Sequence, residues 1–183
     1  MVNYKTDGRC KKYIRSEIIK IIDKIRPNII FTLPNLNFDV ESHAVIKKAK
    51  VICCEIDKEI FKAQSALGNK GIELYNDKMS NIVSKHIYDL AWLDACGPIS
   101  RELIESLSNL KLSKNGKLVI TVGLAREHKD YKIEGDRLEF YNKLLNSFGY
   151  NTYKIYTYRD YKFPMAAFFC SRNKVDNINV YSL

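Results

Sequence analysis

Three carboxylates stand at the ends of three successive apolar segments of this chain. Glu55 and Asp94 end their segments directly, and Asp77 comes two residues after the segment between them. If these segments are parallel strands, their carboxyl ends share one edge of a sheet and the three acids meet there. A single acid at such a place would more simply cap a helix or lie in a solvated loop. Three in register favour a binding site.

The position of Glu55 is typical of nucleotide-binding folds. It follows Leu33, the end of the first predicted strand, by about 20 residues, the spacing at which such folds place an acid against ribose hydroxyls. Asp77 is then in reach of an adenine edge, and Asp94 in reach of the reacting group.

The segment around Asp94 carries the strongest indication of chemistry. An apolar strand ends in this acid, and the chain then turns sharply through Ala95-Cys-Gly-Pro98. Open α/β sheets hold their reactive groups at such strand ends. Tyr88 and Trp92 have the same parity in the strand, so we expect both to point the same way, into the core.

Both strands and helices must position these residues, because segments with the apolar pattern of a strand alternate along the chain with segments that have the apolar pattern of a helix. A basic amphipathic helix at 10–25 comes first. Strands are predicted at 28–33, 49–55, 72–75, 88–93 and 118–122, and helices at 39–48, 57–66, 78–85, 99–110 and 134–148. Residues 114–117 are predicted as a turn that leads into the fifth strand. Segments 150–158 and 163–170 leave no room for a helix between them and predict an antiparallel hairpin.

This order predicts an α/β fold, a three-layer αβα sandwich whose mostly parallel seven-stranded sheet ends in an antiparallel hairpin. We expect one domain over residues 1–183, with a basic N-terminal helix within 1–26 and a weakly ordered tail at 173–183.

Composition favours a polyanionic partner. Lysine and arginine number 30 against 21 acids, a net charge of +9, which suits nucleic acid, although a solubility surplus is the simpler alternative. The sequence has no run of about 18 apolar residues and no signal-peptide core, which predicts no membrane span. Five cysteines without a CxxC pair and three separated histidines predict reduced thiols, a cytoplasmic location and no metal site.

Over residues 26–172 the chain resembles the class I S-adenosylmethionine-dependent methyltransferases. Four stretches carry the resemblance: Cys53-Cys-Glu-Ile-Asp57, Tyr75-Asn-Asp77, Leu112–Thr121 as the turn into strand five, and Phe163–Phe169 in the last strand. It implies S-adenosyl-L-methionine as cofactor, with Glu55 on the ribose and Asp77 on the adenine. The full set of cofactor contacts that we expect is Thr32, Leu33, Pro34, Asn35, Glu41, Glu55, Ile56, Asp77, Lys78 and Asp94.

Within that class, Leu93-Asp-Ala-Cys-Gly-Pro98 is similar to the Asp-Pro-Phe-Gly element of tRNA guanine-N2 methyltransferases. The resemblance implies that Asp94 is catalytic and accepts hydrogen bonds from an exocyclic amine. We expect the substrate to contact Cys96, Gly97, Pro98 and Arg126. Cys96 as a nucleophile for carbon methylation is a weaker alternative than a buried thiol.

Three functions therefore stay open. The first is methyl transfer to an exocyclic amine of a nucleic-acid base, with the phosphate backbone held by Arg9, Lys11, Lys12, Arg15 and Lys20 of the first helix. The second is an inactive binding or scaffold subunit, since the loop after strand one, Phe31–Glu41, has no glycine. The third is a small-molecule methyltransferase. The compact chain leaves no separate domain for target recognition, so we expect a partner subunit or a structured RNA to supply selectivity. A homo-oligomer is a further expectation.

A tyrosine-rich run near the C-terminus has two interpretations. Tyr150, Tyr153, Tyr156, Tyr158 and Tyr161 are interspersed with lysines and arginine. This mixture suits base stacking and phosphate contact. It equally suits an edge hairpin that is protected by charge.

Overall fold

A computed structural model describes residues 9–34, 38–68, 70–95, 97–124, 133, 135–160 and 163–183. The helices are α1 (Arg9–Ile25), α2 (Asp39–Ile46), α3 (Lys58–Ala66), α4 (Met79–Ile82), α5 (Arg101–Asn109) and α6 (Arg137–Ser147). The strands are β1 (Ile29–Thr32), β2 (Lys50–Cys54), β3 (Ile72–Tyr75), β4 (Ile87–Asp94), β5 (Lys111–Gly123), β6 (Asn151–Asp160), β7 (Phe163–Ser171) and β8 (Asn179–Ser182). No helix within these ranges combines the length and the apolar content needed to cross a bilayer.

The strands form one sheet in the order β3-β2-β1-β4-β5-β7-β6-β8. Strands β1 to β5 pair in parallel, and β7 runs antiparallel to both β5 and β6. The predicted mostly parallel sheet and its antiparallel C-terminal hairpin are therefore confirmed.

The sheet has eight strands in the described part of the chain, so the predicted number of seven is wrong. The eighth comes from the tail, where a weakly ordered segment was expected at 173–183. Tyr181 lies beside Tyr156 in a parallel pairing of β8 with β6, and the amide of Leu183 donates to the carbonyl of Thr157. These bonds cover the edge of β6, whose backbone groups would otherwise be unpaired.

Helices cover both faces of the sheet, which confirms the three-layer arrangement. The core on one face is built with α1 and α2 and includes Ile14, Ile18, Ile22, Val40 and Ala44. The core on the other face is built with α4, α5 and α6 and includes Ile82, Leu103, Leu107, Tyr141 and Leu145. The three buried isoleucines of α1 recur at every fourth position, so a single stripe of this helix is buried.

Tyr88 and Trp92 are both buried, as expected, but they lie on opposite faces of the sheet. Tyr88 packs in the core under α4 and α5, whereas Trp92 packs under α1 and donates a hydrogen bond to the Thr121 hydroxyl at 3.2 Å. The pairing of β4 with β5 shifts between Tyr88 and Leu90. This irregularity inverts the alternation of side chains, so the parity argument from the sequence was wrong here.

Asp89, at this irregularity, ties three segments together. Its carboxylate accepts the backbone amide of Asn28 at 2.8 Å and the Ser113 hydroxyl at 2.7 Å. Strand β5 already begins at Lys111, so the predicted turn at 114–117 lies inside a strand. The strand continues there because β4 offers it partners on both sides of the irregularity.

Candidate active site

The carboxyl ends of four parallel strands are aligned along one edge of the sheet. Thr32 of β1 lies beside Cys53 of β2 and beside Trp92 of β4. Cys54 lies beside Tyr75 of β3. The segments that follow these strands, and with them the three acids predicted from the sequence, therefore start at the same edge.

The loops after β2 and β3 are bound to each other. The Glu55 amide donates to the carbonyl of Tyr75 at 2.9 Å, and the Asn76 side-chain amide donates to the carbonyls of Glu55 at 2.8 Å and Ile56 at 3.3 Å. The Glu55 carboxylate accepts the amide of Asp57. This bonding fixes a half-buried carboxylate next to Ile56, whose side chain is 64% exposed, a large apolar surface beside an acid.

Asp77 lies at the head of α4, directly after the third strand. Its Oδ1 accepts the side-chain amide of Asn81 and the backbone amide of Lys78 at 2.8 and 2.7 Å. These two hydrogen bonds lower the pKa of Asp77, because both favour the ionised carboxylate. Asp77 therefore contributes a fixed negative charge directly after β3, and the Lys78 side chain is exposed beside it.

Asp94 forms an ion pair with a residue from the far end of the chain. Lys11 Nζ lies 3.7 Å from Asp94 Oδ2, and the two side chains are 18% and 12% exposed. The first turn of α1 thus lies against the end of β4. Sequence reasoning had assigned Lys11 to a phosphate backbone and missed this contact, since no local pattern links residues so far apart.

The loop after β4 is fixed to the end of β5. The Gly123 amide donates to the carbonyl of Gly97 at 2.8 Å. The hydroxyl of Tyr141, from α6, accepts the amide of Ile99 at 2.9 Å and donates to the carbonyl of Gly123 at 3.4 Å. A Cβ on Gly123 would lie 3.3 Å from the carbonyl carbon of Gly97, so the loop is seated closely on a strand that has no side chain there. Gly97 and the half-buried Pro98, both predicted substrate contacts, are held by this arrangement.

Glu41 and Thr32 point into the interior and not toward the edge. Both are fully buried, and the Thr32 hydroxyl donates to Glu41 Oε1. Burial raises the pKa of Glu41 to about 6, against the opposing effects of that hydrogen bond and of the nearby Arg15 guanidinium. Neither side chain has surface for a ligand in this conformation, which differs from the direct cofactor contact that we expected. Their hydrogen bond links the end of β1 to the first turn of α2, on either side of the loop after β1.

That loop is positioned without glycine. The side-chain amide of Gln64, a buried residue of α3, donates to the carbonyl of Pro34 at 3.0 Å. Phe38 is buried and adopts the left-handed conformation (φ 49°, ψ 39°) that usually calls for glycine. Leu33 and Pro34 remain half-exposed at the edge, whereas Asn35 lies outside the described residues.

Two predicted substrate contacts, Cys96 and Arg126, also lie outside the described residues, so their roles remain predictions. Of the cations assigned to the phosphate backbone, Arg15 is only 7% exposed and lies 3.7 Å from Asp39. A buried guanidinium in that position cannot contact a phosphate, so this assignment was wrong. Lys12 is exposed, as expected.

The tyrosine-rich run belongs mainly to the core. Tyr150, Tyr156 and Tyr158 are almost fully buried, which excludes them as a stacking surface and favours the structural interpretation. Among the described residues no group of histidines, cysteines and acids could hold a metal ion.

No protein-family model and no curated protein matches the sequence. Solved structures do match over most of the chain. An rRNA methylase from Streptococcus thermophilus has a TM-score of 0.62 at 15% identity, over 92% of this chain and 100% of its own. A precorrin-6y methyltransferase from Geobacter metallireducens has a TM-score of 0.62 at 13% identity, over 93% and 95%.

A third match is the N-methyltransferase NodS from Bradyrhizobium japonicum in complex with S-adenosyl-L-homocysteine. Its TM-score is 0.64 at 9% identity, over 91% of this chain and 90% of its own. This chain has the class I methyltransferase fold. The expected resemblance is thereby confirmed for the fold. At identities this low, a structural match is evidence for the fold and not for the activity. The strand-end acids lie at the edge where a class I methyltransferase fold, like other open α/β sheets, carries its ligands.

Proposed function

We propose that the protein is an S-adenosylmethionine-dependent methyltransferase that acts on an exocyclic amine of a nucleic-acid base. The observation that carries this proposal is the position of Glu55, Asp77 and Asp94 at the carboxyl ends of β2, β3 and β4, within the parallel run β3-β2-β1-β4 of a methyltransferase fold. Carboxylates spread along one edge suit a ligand that offers hydroxyls at one end and a reacting group at the other.

The residues present fit the adenosine half of the cofactor. Glu55 offers a half-buried carboxylate for ribose hydroxyls, and Ile56 offers an exposed apolar surface for an adenine face. Asp77 offers a carboxylate to the adenine amine. Leu33 and Pro34 line the start of the loop that would hold the methionine half.

The chemistry at the reacting end depends on Asp94. When bound, the cofactor would supply an electrophilic methyl group on a sulfonium. Asp94 accepts a hydrogen bond from the target N–H, which keeps the nitrogen lone pair directed at the incoming carbon. Its charge also stabilises the cationic nitrogen that forms as the new C–N bond is made, and it can take the released proton to solvent. The clamped backbone of Gly97 holds the loop against which the amine rests.

A nucleic-acid substrate is supported by charge. The net charge of +9 favours association with a polyanion, and one of the matched structures is that of an rRNA methylase. The fold itself is neutral on this point, because it accommodates many unrelated substrates.

Calorimetry with S-adenosyl-L-homocysteine, followed by transfer of labelled methyl groups to tRNA, DNA and small-molecule pools, tests the proposal. Asp94→Ala should abolish transfer and leave cofactor affinity nearly intact, because the adenosine contacts are at β2 and β3. Glu55→Ala should weaken the cofactor instead. Absence of cofactor binding at millimolar ligand would refute the enzyme, and full activity in Asp94→Ala would remove that residue from the mechanism.

One observation favours a second candidate, an inactive nucleic-acid-binding or scaffold subunit. The loop after β1 has no glycine. Of the two acids expected to reach a methionine amine, Asp39 and Glu41, the second is buried against Thr32. A protein of this kind would bind nucleic acid, transfer no methyl group and show no heat with either form of the cofactor in calorimetry.

A further inference from the structure

We propose that the surface between α1 and β8 binds a single strand of nucleic acid by stacking bases on Tyr13 and Tyr181. The α1–β8 surface consists of Tyr13, Glu17, Lys20, Lys154, Tyr156 and Tyr181. The proposed strand binding is argued from these residues alone. The further statement that the bound strand places a target amine at Asp94 rests on the function proposed above.

Three aromatic rings form a continuous row across this surface. Tyr181 of β8 stacks on Tyr156 of β6, with ring centroids 5.1 Å apart and an angle of 29°. Tyr13 of α1 meets the same Tyr156 ring edge-on at 5.3 Å. The central ring is buried, and the outer two are 39% and 44% exposed. The row therefore presents two rings to solvent from a rigid base, which is the arrangement on which unpaired bases stack.

A lysine amino group lies over each of the two exposed rings. Lys20 Nζ is 6.0 Å from the centroid of Tyr13, and Lys154 Nζ is 5.9 Å from that of Tyr181. A strand stacked on the rings would carry its phosphates past both amino groups, where each can neutralise one phosphate.

Glu17 holds the two lysines in place. Its carboxylate accepts Lys20 at 2.6 Å, Lys154 at 2.9 Å and the Tyr156 hydroxyl at 2.9 Å. Burial raises its pKa, but these hydrogen bonds outweigh burial and lower the pKa to about 2. One anion between two cations leaves the cluster net positive, and the whole chain at +9 adds to the attraction for phosphate.

The α1–β8 surface and Asp94 lie at the same register position along the strands of the sheet. Across the sheet, Asp94 lies beside Thr121, Thr121 beside Ala167, Ala167 beside Tyr156, and Tyr156 beside Tyr181. Four strand spacings of about 4.8 Å separate the ends of this row, roughly 19 Å, the length of about five to six stacked nucleotides at 3.4 Å each.

Helix α1 connects the two places on the same face. Lys11, in its first turn, contacts Asp94, and Tyr13 follows two residues later. A strand with its target base at Asp94 would thus extend its neighbouring nucleotides over the α1–β8 surface. This assigns selectivity for unpaired substrate to the chain itself, without a separate recognition domain.

Fluorescence anisotropy with the full chain tests the proposal. The probes are labelled oligouridine and oligothymidine of about twelve nucleotides and a duplex of equal length. We expect the single strands to bind more tightly than the duplex. Tyr181→Ala and Tyr13→Ala should each raise Kd by about 5- to 100-fold, the effect of losing one stacked base. Tyr181→Phe keeps the ring and should bind like the natural chain.

Charge variants separate stacking from general attraction. Lys20→Ala should reduce the salt dependence of log Kd by about 0.7, one single-strand phosphate contact. Lys143→Ala is the matched control, because Lys143 is also paired with a glutamate of its own helix, Glu139, but lies on α6 across the sheet. It should leave Kd unchanged.

Three results would overturn the inference: equal affinity for duplex and single strand, natural affinity in Tyr181→Ala, or loss of affinity in Tyr181→Phe equal to that in Tyr181→Ala. Dimerisation that depends on Tyr181, without oligonucleotide binding, would assign the surface to a second copy and also refute it. Calorimetry with S-adenosyl-L-homocysteine on the same samples keeps the proposals apart. Strand binding without cofactor binding would refute only the enzyme, and the reverse would refute only this surface.

Discussion

The amino group of Lys11 lies 3.7 Å from the carboxylate of Asp94, so the N-terminal helix touches the residue proposed to receive the substrate amine. Both partners are mostly withdrawn from solvent, and the cation occupies a place that a target N–H must approach. The ion pair therefore competes with the substrate, and α1 belongs to the site as much as to the core.

Replacement of Lys11 by methionine tests this competition. Lys11→Met keeps the apolar stem and removes the charge, so we expect KM for the amine substrate to fall by up to about 5-fold, the value of a partly exposed ion pair of at most ~1 kcal/mol. The affinity for S-adenosyl-L-homocysteine should not change. Lys12→Met, an exposed neighbour, controls for net charge. A rise in KM specific to Lys11→Met would show that Lys11 helps to hold the substrate and would contradict the prediction.

Glu41 should make stability fall between about pH 4.5 and pH 6. Its pKa rises on folding from 4.5 to about 6, so in this interval the folded chain binds the proton more tightly than the unfolded chain. The free energy of unfolding should therefore decrease by about 2 kcal/mol as the pH rises through it. Glu41→Gln keeps an acceptor for Thr32 and removes the titration. Urea unfolding of both proteins from pH 4.5 to 7.5 measures the free energy of unfolding. If it changed with pH by the same amount in Glu41→Gln as in the natural chain, the prediction would be contradicted.

Glu17 should act in the opposite direction and at lower pH. Its pKa falls on folding from 4.5 to about 2, so the stability it contributes is present above pH 4.5 and is lost as the pH falls toward 2. At pH 7, Glu17→Gln should cost about 3 kcal/mol of unfolding free energy. Glu59→Gln is the control, since Glu59 has the same spacing to Lys62 on an exposed helix face and should cost less than about 0.5 kcal/mol. Equal losses would mean that the hydrogen bonds from Lys154 and Tyr156 to Glu17 contribute nothing.

Gly123 should be essential for the shape of the loop after β4. A Cβ there would lie 3.3 Å from the carbonyl carbon of Gly97, closer than ordinary van der Waals contact, so Gly123→Ala should displace the loop that carries the proposed amine contacts. We expect methyl transfer to fall by about 10-fold or more, because small displacements of reacting groups are costly, with a stability loss of about 1–2 kcal/mol. Affinity for S-adenosyl-L-homocysteine should stay near its natural value. Unchanged turnover would show that the loop tolerates the displacement.

Much of the fold could be predicted from the sequence, because apolar periodicity is a local property. It indicated the order of helices and strands, the parallel core and the terminal hairpin. Local periodicity gave wrong predictions where the pairing between strands decided the structure. The irregularity at Asp89 placed Trp92 on the face opposite Tyr88, and the tail residues, without a strong pattern of their own, became a strand by pairing with β6.

The candidate site, like the fold, could be predicted only in part from the sequence. The sequence by itself determined which acids follow which strand ends, since parallel strands place those ends at one edge whatever the rest of the chain does. Only the tertiary structure decided where the side chains point and what they contact. Glu41 is turned inward to Thr32, Lys11 reaches Asp94, and Tyr13 meets Tyr156, because packing of helices on the sheet sets contacts between residues that no local spacing relates.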